Sequence, residues 1–212
     1  MIMDVKKILT LLKKEYSKPH IELEYTNPLE ILVATILSAQ CTDKQVNIVT
    51  RKLFKKYKTV RDYANADLEK LGQDIKSIGF YRNKSKNIKA SAQKIISTYD
   101  GKVPKTMDEL LTLPGVARKT ANIVLTAGFG IVEGIAVDTH VKRISYRLGF
   151  TKNKNPDKIE KDLMNIIPKK DWGEVNITLV LHGRHLCQAK KPKCSQCIVK
   201  KICPKAGVDE SA

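Results

Sequence analysis

The sequence predicts an all-α protein, because its apolar residues recur at helical spacing and its capping residues fall where such helices would begin. No strand-like alternation competes with this pattern along the 212 residues. The first helix is indicated by one apolar stripe, formed by Val5, Ile8, Leu9, Leu12 and Tyr16.

A second helix is predicted after Asn27. This residue is a favoured N-cap, Pro28 suits a first helical turn, and Glu30 supplies the acid of a capping box. The stretch 29–37 is apolar on all sides. Such a helix belongs at the centre of a core.

Short helices are predicted next. Thr42 with Gln45 repeats the capping-box pattern, and Asn65 can cap a short helix that Gly72 ends. The sequence therefore indicates compact helices joined by tight turns.

Glycine and proline bound the remaining helices. After Gly79 the apolar residues predict a long basic helix that ends at Asp100-Gly101. Later helices are predicted to begin at Thr106, with Glu109 as the capping acid, and at Asn155-Pro156; Pro168 closes the latter before another helix over 172–182.

Charge indicates a polyanionic partner. The 39 Lys and Arg residues against 22 Asp and Glu residues give a formal charge of +17, more than solubility requires. Nucleic acid is the first candidate, and a lysine-rich surface of the heat-adapted kind is the alternative. No apolar run approaches the roughly 20 residues of a membrane span, and Met1 to Tyr16 has no signal-peptide pattern, so a cytoplasmic, prokaryotic location is expected.

Four of the five cysteines crowd into one short segment, which indicates a metal centre rather than disulfides. They are Cys187, Cys194, Cys197 and Cys203. Structural zinc is one interpretation, although zinc usually takes two short Cys/His pairs, and this segment has one short pair flanked by longer arms. Cys41 lies outside the set and is interpreted as a packing residue.

A helical hairpin is predicted over residues 110–129. The break Leu113-Pro114-Gly115 precedes a second helix that starts near Val116. Backbone N–H groups at such a helix start can hold a phosphate. An ordinary corner between two helices is the alternative for this string taken alone.

Several strings resemble the endonuclease III family. Leu-Pro-Gly-Val-Ala-Arg-Lys-Thr-Ala at 113–121 and Val-Asp-Thr-His at 137–140 are similar to its helix–hairpin–helix and the acidic turn that follows. The likeness extends, in the family's order, through residues 37–40, 78–81 and 181–184 and the cysteine segment, so it covers nearly the whole chain.

The resemblance implies a bifunctional DNA glycosylase and AP lyase for damaged pyrimidines. Lys119 would attack the sugar C1′, expel the base, and form a Schiff base whose β-elimination nicks the strand, while the Asp138 carboxylate would assist. Taken alone, Lys119 could be a phosphate-contacting or solvated lysine, and Asp138 could be an N-cap.

The resemblance also implies the DNA contacts. Gln40 and Phe80 would fill the gap left by a flipped base. Without the resemblance, Gln40 is interpreted as a helix terminus and Phe80 as a core residue. Two departures are Phe80, where the family more often has leucine, and Ala117, where many members have glycine. The remaining predicted DNA-binding residues are Leu113, Gly115, Val116, Arg118, Thr139, His140, Lys190, Lys191 and Lys193.

Finally, the resemblance implies a [4Fe-4S] cluster on the four clustered cysteines, and two interwoven lobes. Residues 22–131 would form a helical barrel with the hairpin, and residues 1–21 plus 132–212 would form the cluster lobe. A monomer is expected, with Lys119 and Asp138 facing across a groove for double-stranded DNA that carries damaged bases or abasic sites. The rivals are an adenine or thymine mismatch glycosylase, a non-catalytic DNA-binding module and a redox-sensing cluster protein.

Overall fold

The computed structural model describes residues 4–17 and 20–212, and every regular element within these ranges is helical. The all-α prediction is confirmed. The α-helices are α1 (Val5–Glu15), α2 (Pro28–Ser38), α3 (Asp43–Lys56), α4 (Val60–Asn65), α5 (Leu68–Asp74), α6 (Tyr81–Thr98), α7 (Met107–Leu111), α8 (Arg118–Ile123), α9 (Thr139–Arg147), α10 (Pro156–Ile166) and α11 (Trp172–His185). Their contacts divide the chain into two compact units, one of residues 21–133 and one of residues 1–20 with 134–212.

The core of the first unit is built around α2. Every residue from Ile31 to Leu37 is buried, as the all-round apolar stretch predicts. Helices α3, α6 and α8 pack against α2, as does the π-helical turn Val124–Gly128 that continues α8. A Cβ at Gly128 would lie 3.3 Å from the Pro28 Cα, so this turn approaches α2 closely.

The predicted N-caps of α2 and α3 are confirmed, but the predicted capping boxes are only half formed. The Asn27 and Thr42 side chains accept hydrogen bonds from the backbone N–H groups three residues on. The Glu30 carboxylate instead accepts from the backbone N–H of Thr26, and the Gln45 amide donates to Ser77. A reciprocal capping box does form at Thr59 and Asp62. It opens α4, a helix that the sequence analysis missed.

The predicted start and end of the fifth helix were wrong. Asn65 is the last residue of α4, and α5 is capped by Asp67, whose side chain accepts a hydrogen bond from the Lys70 N–H. Gly72 does not end α5. It is buried beside Tyr81 and Ser85, where its lack of a side chain permits close packing.

Helix α6 is the long basic helix that the sequence predicts. It stops where Asp100 and Gly101 adopt positive φ angles of 51° and 73°. The Gly101 N–H then donates to the Ile95 carbonyl at 3.0 Å, which satisfies a terminal carbonyl of the helix.

The second unit contains α1, α9, α10 and α11 around its own apolar core. Asn155 caps α10 as predicted, and α11 runs on to His185, past its predicted end near residue 182. Helix α9 packs against both α10 and α11, and α1 packs against α11. None of the helices in the described ranges is both long and apolar enough to cross a membrane.

Candidate active site

The predicted hairpin is formed by α7, the turn at 112–117 and α8, which begins at Arg118 rather than near Val116. Gly115 has a φ of +78°, and a Cβ there would lie 2.7 Å from the Asn87 Nδ2. Only glycine fits this turn without strain, because both the conformation and the space exclude a side chain.

Two side chains of helix α6 donate hydrogen bonds to backbone carbonyls of the hairpin turn. The Ser91 hydroxyl donates to the Pro114 carbonyl at 2.7 Å, and the Lys94 ammonium donates to the Thr112 carbonyl at 3.0 Å. With Asn87, these residues lie at i, i+4 and i+7 on one helical face. These contacts were not predicted from the sequence, although polar residues at this spacing on a long helix were a usable signal.

The hairpin presents Lys119 to solvent. Lys119 is exposed and is the second residue of α8. The N-cap residue Ala117 makes no side-chain capping bond, so that side chain does not occupy the N–H groups of the first turn. Leu113 and Val116 are only 2% and 8% exposed, so DNA could reach them only through their backbone groups.

Asp138 lies in the other unit, at the start of α9. Its Oδ1 accepts a hydrogen bond from the Val141 N–H at 2.7 Å, so the side chain is an N-cap. The carboxylate is half-buried, Thr139 beside it is exposed, and the His140 Nδ1 lies 3.1 Å from the Arg143 Nη2. The capping bond fixes the direction of the carboxylate.

Gln40 and Phe80 occupy two turns with left-handed backbones. Their φ angles are +54° and +58°, and both side chains are exposed, Phe80 to 65%. Phe80 is therefore no core residue.

The four clustered cysteines line one cavity that is partly open to solvent. Its wall also contains apolar residues such as Leu148, Leu186 and Val199. All five cysteines are free thiols, and burial raises the pKa of the Cys197 and Cys203 thiols. Within the described ranges, no three His, Cys, Asp or Glu side chains form a group suited to a single metal ion. Cys41 lies outside this cavity and packs against the core of its own unit, residues 21–133.

Two arginines on α9 hold the loop that carries these cysteines. Arg147 is buried and donates to the Gln188 carbonyl at 2.6 Å and to the Cys187 Sγ at 3.4 Å. Arg143 donates to the Cys187 carbonyl at 3.2 Å and to the Gly183 carbonyl of α11 at 2.9 Å, and burial lowers its pKa. The sequence did not reveal these roles, because each bond spans about forty residues of chain.

His182 lies beside the cysteine cavity and is 1% exposed. Its Nδ1 is 3.3 Å from the Tyr16 hydroxyl, and its Nε2 is 3.8 Å from the Cys197 Sγ. Burial lowers the His182 pKa to about 4, so the ring is neutral near pH 7. Burial also raises the Tyr16 pKa to about 12.

The same loop displays cations. The side chains of Lys190, Lys191 and Lys193 are exposed, and Lys191 makes one ion pair with Glu210 at 3.8 Å. Both partners of that pair are more than three-quarters exposed, so it is weak.

Comparison with known protein families gives a match over residues 33–169 to the HhH-GPD superfamily of base excision DNA repair proteins. The chain belongs to this superfamily. The HhH-GPD match spans the hairpin, Lys119 and Asp138.

Among HhH-GPD relatives, endonuclease III of Synechocystis sp. is 52% identical over 94% of this chain and 91% of its own length. Endonuclease III of Bacillus subtilis is 51% identical over 87% and 85%. The structure of a trapped endonuclease III–DNA covalent intermediate superposes with a TM-score of 0.91 at 46% identity, covering 95% and 94% of the two chains. A thermostable thymine-DNA glycosylase superposes with a TM-score of 0.85 at 25% identity.

Proposed function

We propose that this protein is a bifunctional DNA glycosylase and AP lyase of base excision repair, acting on oxidised or otherwise damaged pyrimidines in double-stranded DNA. The observation that carries the proposal is an exposed lysine, Lys119, in the first turn of the helix behind a Leu-Pro-Gly hairpin. The relatives named endonuclease III, and the covalent DNA intermediate formed by one such enzyme, support it.

Lys119 supplies the nucleophile. Its neutral amine attacks C1′ of the damaged nucleoside, and the bond from C1′ to the base breaks with its electron pair leaving on the base. Loss of a proton and opening of the sugar ring give an imine. Removal of a C2′ proton then expels the 3′ phosphate, which cuts the strand.

Asp138 supplies the carboxylate that assists the lysine. Its carboxylate accepts a proton from the lysine ammonium and stabilises positive charge that develops on the sugar. The capping bond to the Val141 N–H uses one oxygen and holds the carboxylate in one orientation, so capping and chemistry coexist in this residue.

The DNA contacts divide into four groups. The hairpin backbone at Gly115 to Arg118 binds phosphate, Gln40 and Phe80 fill the space left by the extruded nucleotide, and Thr139 and His140 contact the backbone beside Asp138. Exposed Lys190, Lys191 and Lys193 contribute sequence-independent attraction.

A [4Fe-4S] cluster held by Cys187, Cys194, Cys197 and Cys203 completes the proposal. The fit is favourable, because the four cysteines line one cavity and Arg147 and the Lys205 N–H donate to two of the sulfurs. The cluster supplies structural order to the cationic loop and takes no part in bond breaking.

Borohydride trapping tests the proposal. Purified protein is incubated with a duplex that contains one oxidised pyrimidine, and wild type is compared with Lys119→Ala and Asp138→Asn. A covalent protein–DNA adduct is expected with wild type, none with Lys119→Ala, and a strongly reduced amount with Asp138→Asn.

Two other results would overturn it. Base release without any adduct would identify a monofunctional glycosylase that uses water, the activity class of the mismatch enzymes. DNA binding without base release or nicking would identify a non-catalytic binding module.

A further inference from the structure

We infer that Lys84, a buried lysine near the start of α6, is a positioning residue that holds the turns of Gln40 and Phe80 in place for base extrusion. The inference rests on the proposed function and adds a residue to it. Lys84 is 5% exposed, which is unusual for a lysine.

The Lys84 side chain closes the end of α2. Its ammonium donates to the Leu37 carbonyl at 2.9 Å and to the Ala39 carbonyl at 2.6 Å. These carbonyls lie at the negative end of the helix dipole, where a cation is favoured. Gln40 follows directly with a left-handed backbone, so the ammonium fixes the point from which its side chain leaves the fold.

The Lys84 backbone is tied to the other turn. Its N–H donates to the Phe80 carbonyl at 3.1 Å, and Phe80 is the N-cap of α6. A Cβ built on Gly79 would lie 3.9 Å from the Gln40 carbonyl oxygen, so the two turns are neighbours. The Lys84 side chain therefore fixes the Gln40 turn directly, and the Phe80 turn lies next to it at the start of the same helix.

Burying the Lys84 ammonium costs desolvation free energy, which a side chain that only fills space would not incur. Burial lowers the pKa of Lys84, so desolvation opposes a cation at this site, and the two carbonyl bonds must offset it. An apolar side chain could fill the volume but would leave both carbonyls without this donor. The contacts of Lys84 are thus specific to the end of α2 and the Gln40 turn.

The face of α6 that carries Lys84 also carries the hairpin contacts. Lys84, Asn87, Ser91 and Lys94 lie at i, i+3, i+7 and i+10, within one side of the helix. Helix α6 is therefore a common support for the turns of Gln40 and Phe80 and for the hairpin that bears Lys119.

The test compares Lys84→Met with Lys89→Met. Lys89 is a matched control, because it lies on the same helix and its ammonium also donates to a backbone carbonyl, that of Ala66, at 2.8 Å. For each variant, kcat/KM is measured for base release from a duplex with one oxidised pyrimidine and for nicking at a preformed abasic site, where no base must be extruded. Borohydride trapping gives the active fraction used to normalise the rates.

We expect Lys84→Met to lower base release about tenfold, because both charge-assisted bonds to the end of α2 are lost, and abasic-site nicking by no more than about twofold. Lys89→Met should leave both rates near those of wild type. If Lys84→Met does not fold, Lys84→Gln, which removes the charge and shortens the side chain, replaces it under the same criterion.

Equal losses on both substrates, or equal effects of the two variants, would show that Lys84 is only structural and would overturn the inference. Failure of the proposed function is distinguishable, because wild type itself would then release no base.

Discussion

Asn87 occupies the space that a side chain at Gly115 would need, with its Nδ2 only 2.7 Å from the position of a Cβ there. The contact joins α6 to the hairpin turn that precedes Lys119. We expect Gly115→Ala to lower the free energy of unfolding by about 1–3 kcal/mol, because it adds a clash to a backbone with φ of +78°. Urea unfolding measures this loss, and fluorescence anisotropy with duplex DNA should show weaker binding.

Gly101→Ala is the matched control. Gly101 has a similar φ of +73°, but nothing lies within 4 Å of a Cβ there. It should reproduce the conformational cost without the clash and without loss of DNA affinity. Equal stability losses in the two variants would contradict a role for Asn87.

Two substitutions should distinguish the structural role of Asp138 from its chemical role. Asparagine is as good an N-cap as aspartate, so Asp138→Asn should change the free energy of unfolding by less than about 0.5 kcal/mol while abolishing most of the base release. Asp138→Ala should lose the activity and also about 1 kcal/mol of stability, because the Val141 N–H loses its acceptor. Urea unfolding beside a single-turnover glycosylase assay measures both effects; full activity in Asp138→Asn would refute the chemical role.

Replacement of a clustered cysteine should remove the cofactor. We expect wild type to contain about four iron and four sulfide ions per chain and Cys194→Ser to contain less than about one of each, because the cluster needs four thiolates. Elemental analysis and sulfide determination check this. Cys41→Ser should retain the full content, since Cys41 packs against the other core; zinc in place of iron would disprove the cluster.

Local signals in the sequence were enough to predict most of the helices. Helices α2 and α10 begin at the predicted pairs Asn27-Pro28 and Asn155-Pro156. Helix α6 ends at the predicted pair Asp100-Gly101. The prediction failed at Asn65, because two acceptable caps lie two residues apart and the local pattern does not distinguish Asn65 from Asp67, which caps α5.

The support of the site was harder to predict than its motifs. Lys119 and Asp138 stand in recognisable strings, but the bond from Ser91 to the Pro114 carbonyl and the bond from Arg147 to the Gln188 carbonyl join distant parts of the chain. Such pairings depend on how helices pack. Periodicity identifies the face of α6 or α9 that is buried and cannot name the carbonyl that each side chain meets.

Stability should depend on pH through Asp162. The Thr151 hydroxyl and the Asn153 amide both donate to its Oδ2 and lower its pKa. The ionised form is therefore favoured in the folded state, so this contribution is complete above the ordinary pKa of about 3.9 and is lost as the pH falls through the lowered value. Urea unfolding of wild type and Asp162→Asn should show a stability gap at about pH 6 that shrinks below about pH 4. A gap independent of pH would contradict this assignment.

The lysines of the cysteine loop should contribute to DNA affinity through counterion release. Lys190, Lys191 and Lys193 are exposed, and the ion pair of Lys191 with Glu210 is too weak to hold its side chain away from a phosphate. Each single change to alanine should lower the slope of log K against log salt concentration by about 0.9, one phosphate contact, and should do so equally on undamaged and damaged duplexes. Lys6→Ala, at an exposed position of α1, removes the same charge elsewhere and should leave the slope nearly unchanged. Identical slopes for all four variants would mean that the loop attracts DNA only through net charge, because direct contacts depend on where the lysine stands and long-range attraction does not.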